Sequence, residues 1–308
     1  MSGQWSSRSL GSRFQHQIFY WLISFCGPRP AYWLLQLVVF YYSLRPKVVR
    51  RSRPYLSRRF PGDGPGRAWR RAFKLNLEFG RVLLDRAVMG LTGRLAFEDP
   101  RGGAGTIKEL LAEGRGLLIL TAHVGAWQSG FGWLEALDRP VNIVQRRQDL
   151  DVDRHYFEHG RQAPAPKIID AAQPSAALAA MSAALLKGEM VCAMGDRVTG
   201  EDGFTIAVPF LGGTIQVPAG PFYLAARLSA PLAVVFTRRL GPGRVAGELR
   251  RVIRPRAAAP RATESLEPYA RDFALALSDY VEEEPYQFFN FYDMWNSEEI
   301  KDGSEERA

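Results

Sequence analysis

One histidine is placed where a base would be useful. The apolar run Leu117-Leu118-Ile119-Leu120 is bounded by Gly116 and ends in Thr121-Ala122-His123, followed by Val124-Gly125-Ala126-Trp127-Gln128. A short continuous apolar run between a glycine and a polar break predicts a buried strand over 117–122. A histidine just past such a strand, followed by a glycine that lets backbone approach closely, presents an imidazole at the rim of a sheet. A neutral imidazole near pH 7 can take a proton from a hydroxyl or an amine. A lone histidine after a strand can equally be a core residue bonded to backbone, so the weight rests on what surrounds it.

Other groups able to do chemistry follow at the ends of predicted strands. Arg146 and Arg147 close the run Val141-Asn142-Ile143-Val144-Gln145 and can pair with a phosphate or steady an oxyanion. Asp196 and Arg197 close Met190 to Gly195, as a site pair or as an internal ion pair. Gly212, Gly213 and Gly220 can bring backbone N–H groups to an anion near a helix start at 219, although ordinary turns also account for them. His155 and His159 have the i, i+4 spacing of metal ligands, but no third ligand accompanies them and no metal is expected. The two cysteines, Cys26 and Cys192, form no spaced framework.

The elements that must position these groups alternate. Strands are expected at 117–122, 141–146, 167–170, 190–195, 206–210, 232–238 and 247–254. Helices are expected at 126–138, 152–161, 174–187 and 219–229. This pattern predicts an α/β fold, a largely parallel or mixed sheet flanked by helices. The last two strands, separated by Leu240 to Arg244, should form a hairpin. A short helix capped by Thr106 precedes the first strand, a longer amphipathic one covers 67–89, and another covers 263–284. The aromatic ending, Tyr286 to Trp295, reads as packing back on the body.

The N-terminal part is different. Ile18 to Phe25 and Ala31 to Leu44 are apolar, separated by Gly27-Pro28-Arg29-Pro30. Neither reaches the roughly 20 apolar residues of a simple span, so a hairpin or interfacial anchor is expected. Ten basic residues against one acid follow between Arg45 and Arg71. Net charge is +8. Basic residues directly after an apolar segment read as a flank on an anionic membrane surface rather than a nucleic-acid module. The expected organisation is an N-terminal membrane-associating anchor of helices over 1–60, a hinge at Pro61 to Gly66, an α/β domain over 67–296 and a charged tail over 297–308.

At His123 and its followers the chain resembles the bacterial lipid A biosynthesis acyltransferases, the lauroyl/myristoyl branch of the lysophospholipid acyltransferase superfamily, and the resemblance covers most of the chain from Trp5 onward. That family's H-x-G-N-W-E stands here as His123-Val124-Gly125-Ala126-Trp127-Gln128. The Arg146–Arg147 corner, Asp196-Arg197, Val208-Pro209-Phe210-Leu211-Gly212, Val217 to Pro221 and Ala230-Pro231 follow in the family's order. The ending Gln287 to Trp295 is similar to a subgroup found with aryl polyene lipid clusters. The resemblance implies transfer of a fatty acyl group from a thioester to a hydroxyl or amine of a lipid-like acceptor, with His123 as general base. It implies acyl carrier protein or acyl-CoA as donor, no cofactor, no nucleic acid, and a bacterial inner membrane location on the cytoplasmic face. Substrate contacts would fall to Arg146, Arg147, Arg197, Gly125, Gly212 and Gly220.

One departure bears on the chemistry. Gln128 replaces the family's acid and Ala126 its asparagine. On a regular helix, the five-residue step from 123 to 128 would leave the side chains about 140° apart, so a histidine–partner pair at this spacing needs a bend, which Gly125 permits. An amide carbonyl can fix the imidazole tautomer but supplies no full negative charge. Three readings are open: Gln128 suffices, another carboxylate stands in (Asp196 before Glu135 or Asp149), or the chain is a catalytically weak binder of lipid or acyl carrier.

Overall fold

A computed structural model describes residues 13–130, 134, 137, 139–145, 167–198, 204–255 and 263–296. Four helices come first: α1 (Arg13–Cys26), α2 (Pro28–Ser43), α3 (Pro46–Arg59) and α4 (Pro65–Thr92). The α/β part then runs β1 (Ala96–Glu98), α5 (Gly103–Ala112), β2 (Leu117–Thr121), β3 (Val141–Gln145), β4 (Lys167–Asp170), α6 (Pro174–Leu186), β5 (Met190–Met194), β6 (Thr205–Phe210), β7 (Gly213–Pro218), α7 (Gly220–Leu228), β8 (Leu232–Gly241), β9 (Arg244–Ile253) and α8 (Thr263–Glu283).

Seven strands form one sheet in the order β1-β9-β8-β2-β5-β3-β4. From β8 through β2, β5 and β3 to β4 all neighbours are parallel, while β8 and β9 form the expected antiparallel hairpin. Parallel strands are covered on both faces, which is why β2 reads as a continuous apolar run instead of an alternation. Leu118 and Leu120 enter the larger core with α7 and α8, and Leu117 and Ile119 enter the core under α5. Val191 and Ala193 of β5 divide from Met190 and Cys192 in the same way.

Several expectations need correction. Trp127 to Gly130 form turns rather than the start of a helix, because Gly125 adopts φ +53° and the N–H groups of Ser129 and Gly130 both close onto the Ala126 carbonyl. Leu134 is helical; most of the remainder of the expected 126–138 helix lies outside the described residues. So do the expected 152–161 helix, the 297–308 tail, Glu135, Arg146, Arg147, Asp149, His155 and His159. Helix α5 begins before Thr106, with the Asp99 carboxylate accepting from the N–H groups of Gly103 and Ala104. Strand β7 pairs with β6 in a separate two-stranded sheet.

Six of the ten basic residues between Arg45 and Arg71 lie in helix α3 and three in the start of α4. The buried side of α3 is Val48, Ser52, Tyr55 and Leu56, and the Tyr55 hydroxyl donates to the Pro285 carbonyl at 2.8 Å. Helices α1 and α2 lay Ile23, Ala31, Leu35 and Val39 against Leu77, Leu84 and Val88 of α4. Beneath them Asp85, only 1 % exposed, accepts hydrogen bonds from the Tyr32 hydroxyl of α2, the Arg239 guanidinium of β8 and the Gly243 N–H in the β8–β9 turn. This buried carboxylate ties the helical part to the sheet, with the Arg239 charge offsetting the cost of burying it. No helix among the described residues is long and apolar enough to cross a membrane.

Candidate active site

The site is set by strand register. In the β2–β5 ladder Thr121 lies opposite Met194, and the Gly195 N–H donates to the Thr121 carbonyl at 2.8 Å. His123 and Asp196 each stand two residues past those partners, at the carboxyl ends of adjacent parallel strands. Neighbouring strands are about 4.8 Å apart, so the two side chains meet directly. His123 Nδ1 is 3.0 Å from both carboxylate oxygens of Asp196, and the His123 backbone N–H donates to Oδ2 at 3.1 Å.

The acid facing the imidazole is therefore Asp196. The carbonyl of Gln128 instead accepts from Arg86 Nη1 of α4 at 2.8 Å. Arg86 itself is buried, and it stabilises the turn that follows His123. Gly125 is required at its position: a Cβ there would stand 1.9 Å from the Thr237 carbonyl oxygen of β8. That packing leaves Gly125 a structural contact to the sheet. Gly212 lies in the β6–β7 turn with φ +71°, and Gly220 opens α7. The structure thus brings together His123, Asp196 and Arg197, and puts Gln128 on the side of α4.

Electrostatics favour a neutral imidazole beside an ionised carboxylate. Burial pushes His123 below the ordinary histidine range and the Arg197 guanidinium pushes the same way, with Asp196 opposing both. Burial alone would raise Asp196, but His123, by charge and hydrogen bond, and Arg197 hold it below the usual carboxylate range. With a carboxylate facing Nδ1, that nitrogen carries the hydrogen, and the lone pair sits on Nε2. Asp196 is 2 % exposed and the His123 side chain 18 %, so the carboxylate is sealed while the imidazole reaches the surface.

Aromatic rings line one side of the imidazole. Trp127 lies 5.5 Å from the His123 ring, Phe79 of α4 stacks on Trp127 at 6.3 Å, and Phe289 and Phe291 close the group at 5.2 and 5.1 Å from Phe79. Phe288 and Phe289 are fully buried, as expected of core packing, whereas Phe291 is half-buried.

A histidine–carboxylate pair at the carboxyl ends of parallel strands, with a basic group adjacent and an apolar wall beside it, leaves Nε2 able to accept a proton from a bound group. A family model described as bacterial lipid A biosynthesis acyltransferase matches residues 93–297, and the chain belongs to that family. It is an acyltransferase of the lipid A type. No individually curated protein matches the chain.

The lowered acidities give stability a defined pH dependence. His123 titrates lower in the folded than in the unfolded chain, so between the two values the unfolded state binds more protons. Its contribution is present above about pH 6.5 and is lost as pH falls from there toward the folded value. Asp196 adds a second loss below about pH 3.8. His123→Gln should flatten the stability profile just below pH 6.5 in chemical denaturation series, and an unchanged slope would contradict the neutral buried imidazole.

Proposed function

We propose that the protein moves a fatty acyl group from a thioester, carried by acyl carrier protein or CoA, to a hydroxyl or amine of a membrane lipid, with His123 as the general base. The observation that carries this reading is the His123–Asp196 pair at the strand ends of an acyltransferase of this family. His123 Nε2 takes the proton from the acceptor as its oxygen or nitrogen attacks the thioester carbonyl. The tetrahedral intermediate collapses with cleavage of the carbon–sulfur bond, and the imidazolium returns the proton to the leaving thiolate. Asp196 holds the ring in the reactive tautomer and stabilises the imidazolium, the task the family's acid at position 128 would otherwise perform. The apolar wall of Phe79, Trp127 and Phe291 suits an acyl chain lying past the imidazole. Arg146 and Arg147 are the candidates for a donor or acceptor phosphate.

The site also has a surface that suits a bilayer. Helices α1 and α2 bury one side on α4 yet leave Phe14, Trp21, Phe25, Trp33, Leu37 and Leu44 at least 60 % exposed. A helix apolar on all sides calls for a second apolar environment. Next to it, α3 exposes Lys47, Arg50, Arg53 and Arg58 with no acid in its sequence. Apolar rings followed by a basic helix fit an anionic leaflet, with the helices lying in the interface rather than crossing it. The reading is an enzyme on the cytoplasmic face of a bacterial inner membrane.

Two tests follow. His123→Ala should lower thiol release from lauroyl-acyl carrier protein and lauroyl-CoA by about 10⁴-fold, to a small residual rate, in the presence of total lipid extract of the producing bacterium. Asp196→Asn should lower turnover by about 10²–10⁴-fold, and Gln128→Glu should not raise it, because its charge is taken up by Arg86. Wild-type activity in His123→Ala would end the base reading. Separately, the protein should co-sediment with phosphatidylglycerol-containing vesicles and lose most of that binding in Trp21→Ser/Trp33→Ser. Equal partitioning of this variant would count against the interfacial face.

A further inference from the structure

The segment after α8 touches both halves of the dyad through its backbone. The Phe289 N–H donates to the His123 carbonyl at 2.9 Å, and the Gly125 N–H donates to the Gln287 carbonyl at 2.8 Å, so Val124 and Phe288 form a short antiparallel bridge. On the other side Arg197 Nη2 donates to the Phe289 carbonyl at 3.1 Å, and its guanidinium lies 5.6 Å over the Tyr292 ring. The Tyr292 hydroxyl donates to the Asp196 carbonyl at 3.4 Å. One residue, Phe289, thus spends its N–H on the histidine strand end and its carbonyl on the aspartate strand end.

The segment is itself held firmly. Asn290, 2 % exposed, accepts the Tyr292 N–H, and Gln287 exchanges hydrogen bonds with the backbone of Arg239 in β8. Phe288 packs edge-on against Tyr55 and Phe210, and the Trp295 indole donates to the Phe210 carbonyl.

We infer that Gln287 to Tyr292 is a strap belonging to the catalytic apparatus, fixing the loops that carry His123 and Asp196 relative to each other, with Arg197 as the positioning residue that ties the strap to the dyad. The inference rests on the reading of His123 as base. Beyond the ladder the β2 and β5 ends meet through the Gly195 N–H on the Thr121 carbonyl and the His123–Asp196 bonds, and the strap adds a backbone bridge from the far side where regular strand hydrogen bonds stop. Arg197 has two separable effects. Its Nη2 bonds the Phe289 carbonyl while the guanidinium plane lies over the Tyr292 ring, a combination a lysine does not reproduce, and its charge disfavours imidazolium, which a lysine preserves. Among the described residues, the charged and titratable groups around His123 are Asp196 and Arg197 on the β5 loop, Tyr292 on the strap, and Arg86 of α4 beyond Gln128.

The test uses the full chain and two readouts, the pH titration of the His123 imidazole by NMR, which needs no substrate, and thiol release from lauroyl-acyl carrier protein with total lipid extract as acceptor. Arg197→Met should raise the His123 titration point and lower kcat by about 10²-fold with KM little changed, as expected for a misplaced base. Arg197→Lys should restore the titration point but not kcat. Tyr292→Leu, which keeps an apolar filler, should lower kcat at an unchanged melting temperature and provides the same test if Arg197→Met does not fold. Wild-type kcat and titration in folded Arg197→Met, or losses that vanish when corrected for the folded fraction, would overturn the strap. Wild-type thiol release by His123→Ala would instead overturn the reading beneath it, whereas a strongly slowed His123→Ala beside a fully active Arg197→Met would remove the strap alone.

Discussion

The alignment of β2 with β5 is the constraint on which the site depends. Because Thr121 faces Met194, residues two steps further along each strand face each other, and these are His123 and Asp196. A one-residue slip would turn each side chain of one strand to the opposite face. Such a slip is opposed by two cores at once, since alternate residues of both strands are buried above and below the sheet. The precision of the dyad is inherited from burial. The apolar runs that make these strands nondescript as sequence are what hold the chemistry in place.

Charge then decides what the pair can do. A hydrogen bond to a charged acceptor is worth about 1.5–3 kcal/mol net, against about 0.5–1.5 kcal/mol for a neutral one. The difference favours Asp196 over Gln128 as the group that supports a developing imidazolium. Burial first, and the Arg197 charge after it, disfavour the protonated ring against the pull of Asp196. Gln128 serves a different purpose, anchoring the turn after His123 to the buried Arg86. With Asp85 next to it bonded to α2 and β8, the same turn of α4 links the helices carrying the exposed apolar face to the loop that carries His123.

Much of this was legible in the sequence where side chains carry the signal. The buried strands, the β8–β9 hairpin, the helices near 174–187, 219–229 and 263–284, and His123 at a strand end all follow from apolar pattern and punctuation. Asp196 was visible as a strand-terminal acid, but only the adjacency of β2 and β5 singles it out from Glu135 and Asp149, and adjacency is not a local property. Helix α3 was obscured because its buried stripe is interrupted by six basic residues and by Pro54. The short β1 has three residues and offers no period to read, and β7 alternates only over Thr214 to Val217 before its proline. The strap was hidden for a deeper reason: most of its contacts to the dyad are made by main-chain atoms of Phe289 and Gln287, which any residue could supply. Arg86 had no signal at all, lying 42 residues before its partner.

A double-mutant cycle measures directly whether His123 and Asp196 act as one unit. Thiol release from lauroyl-acyl carrier protein by His123→Ala, Asp196→Ala and the double variant should give losses that do not multiply, the double variant being no slower than His123→Ala alone. Losses that multiply independently would mean that the carboxylate does not work through the imidazole, and would contradict the dyad.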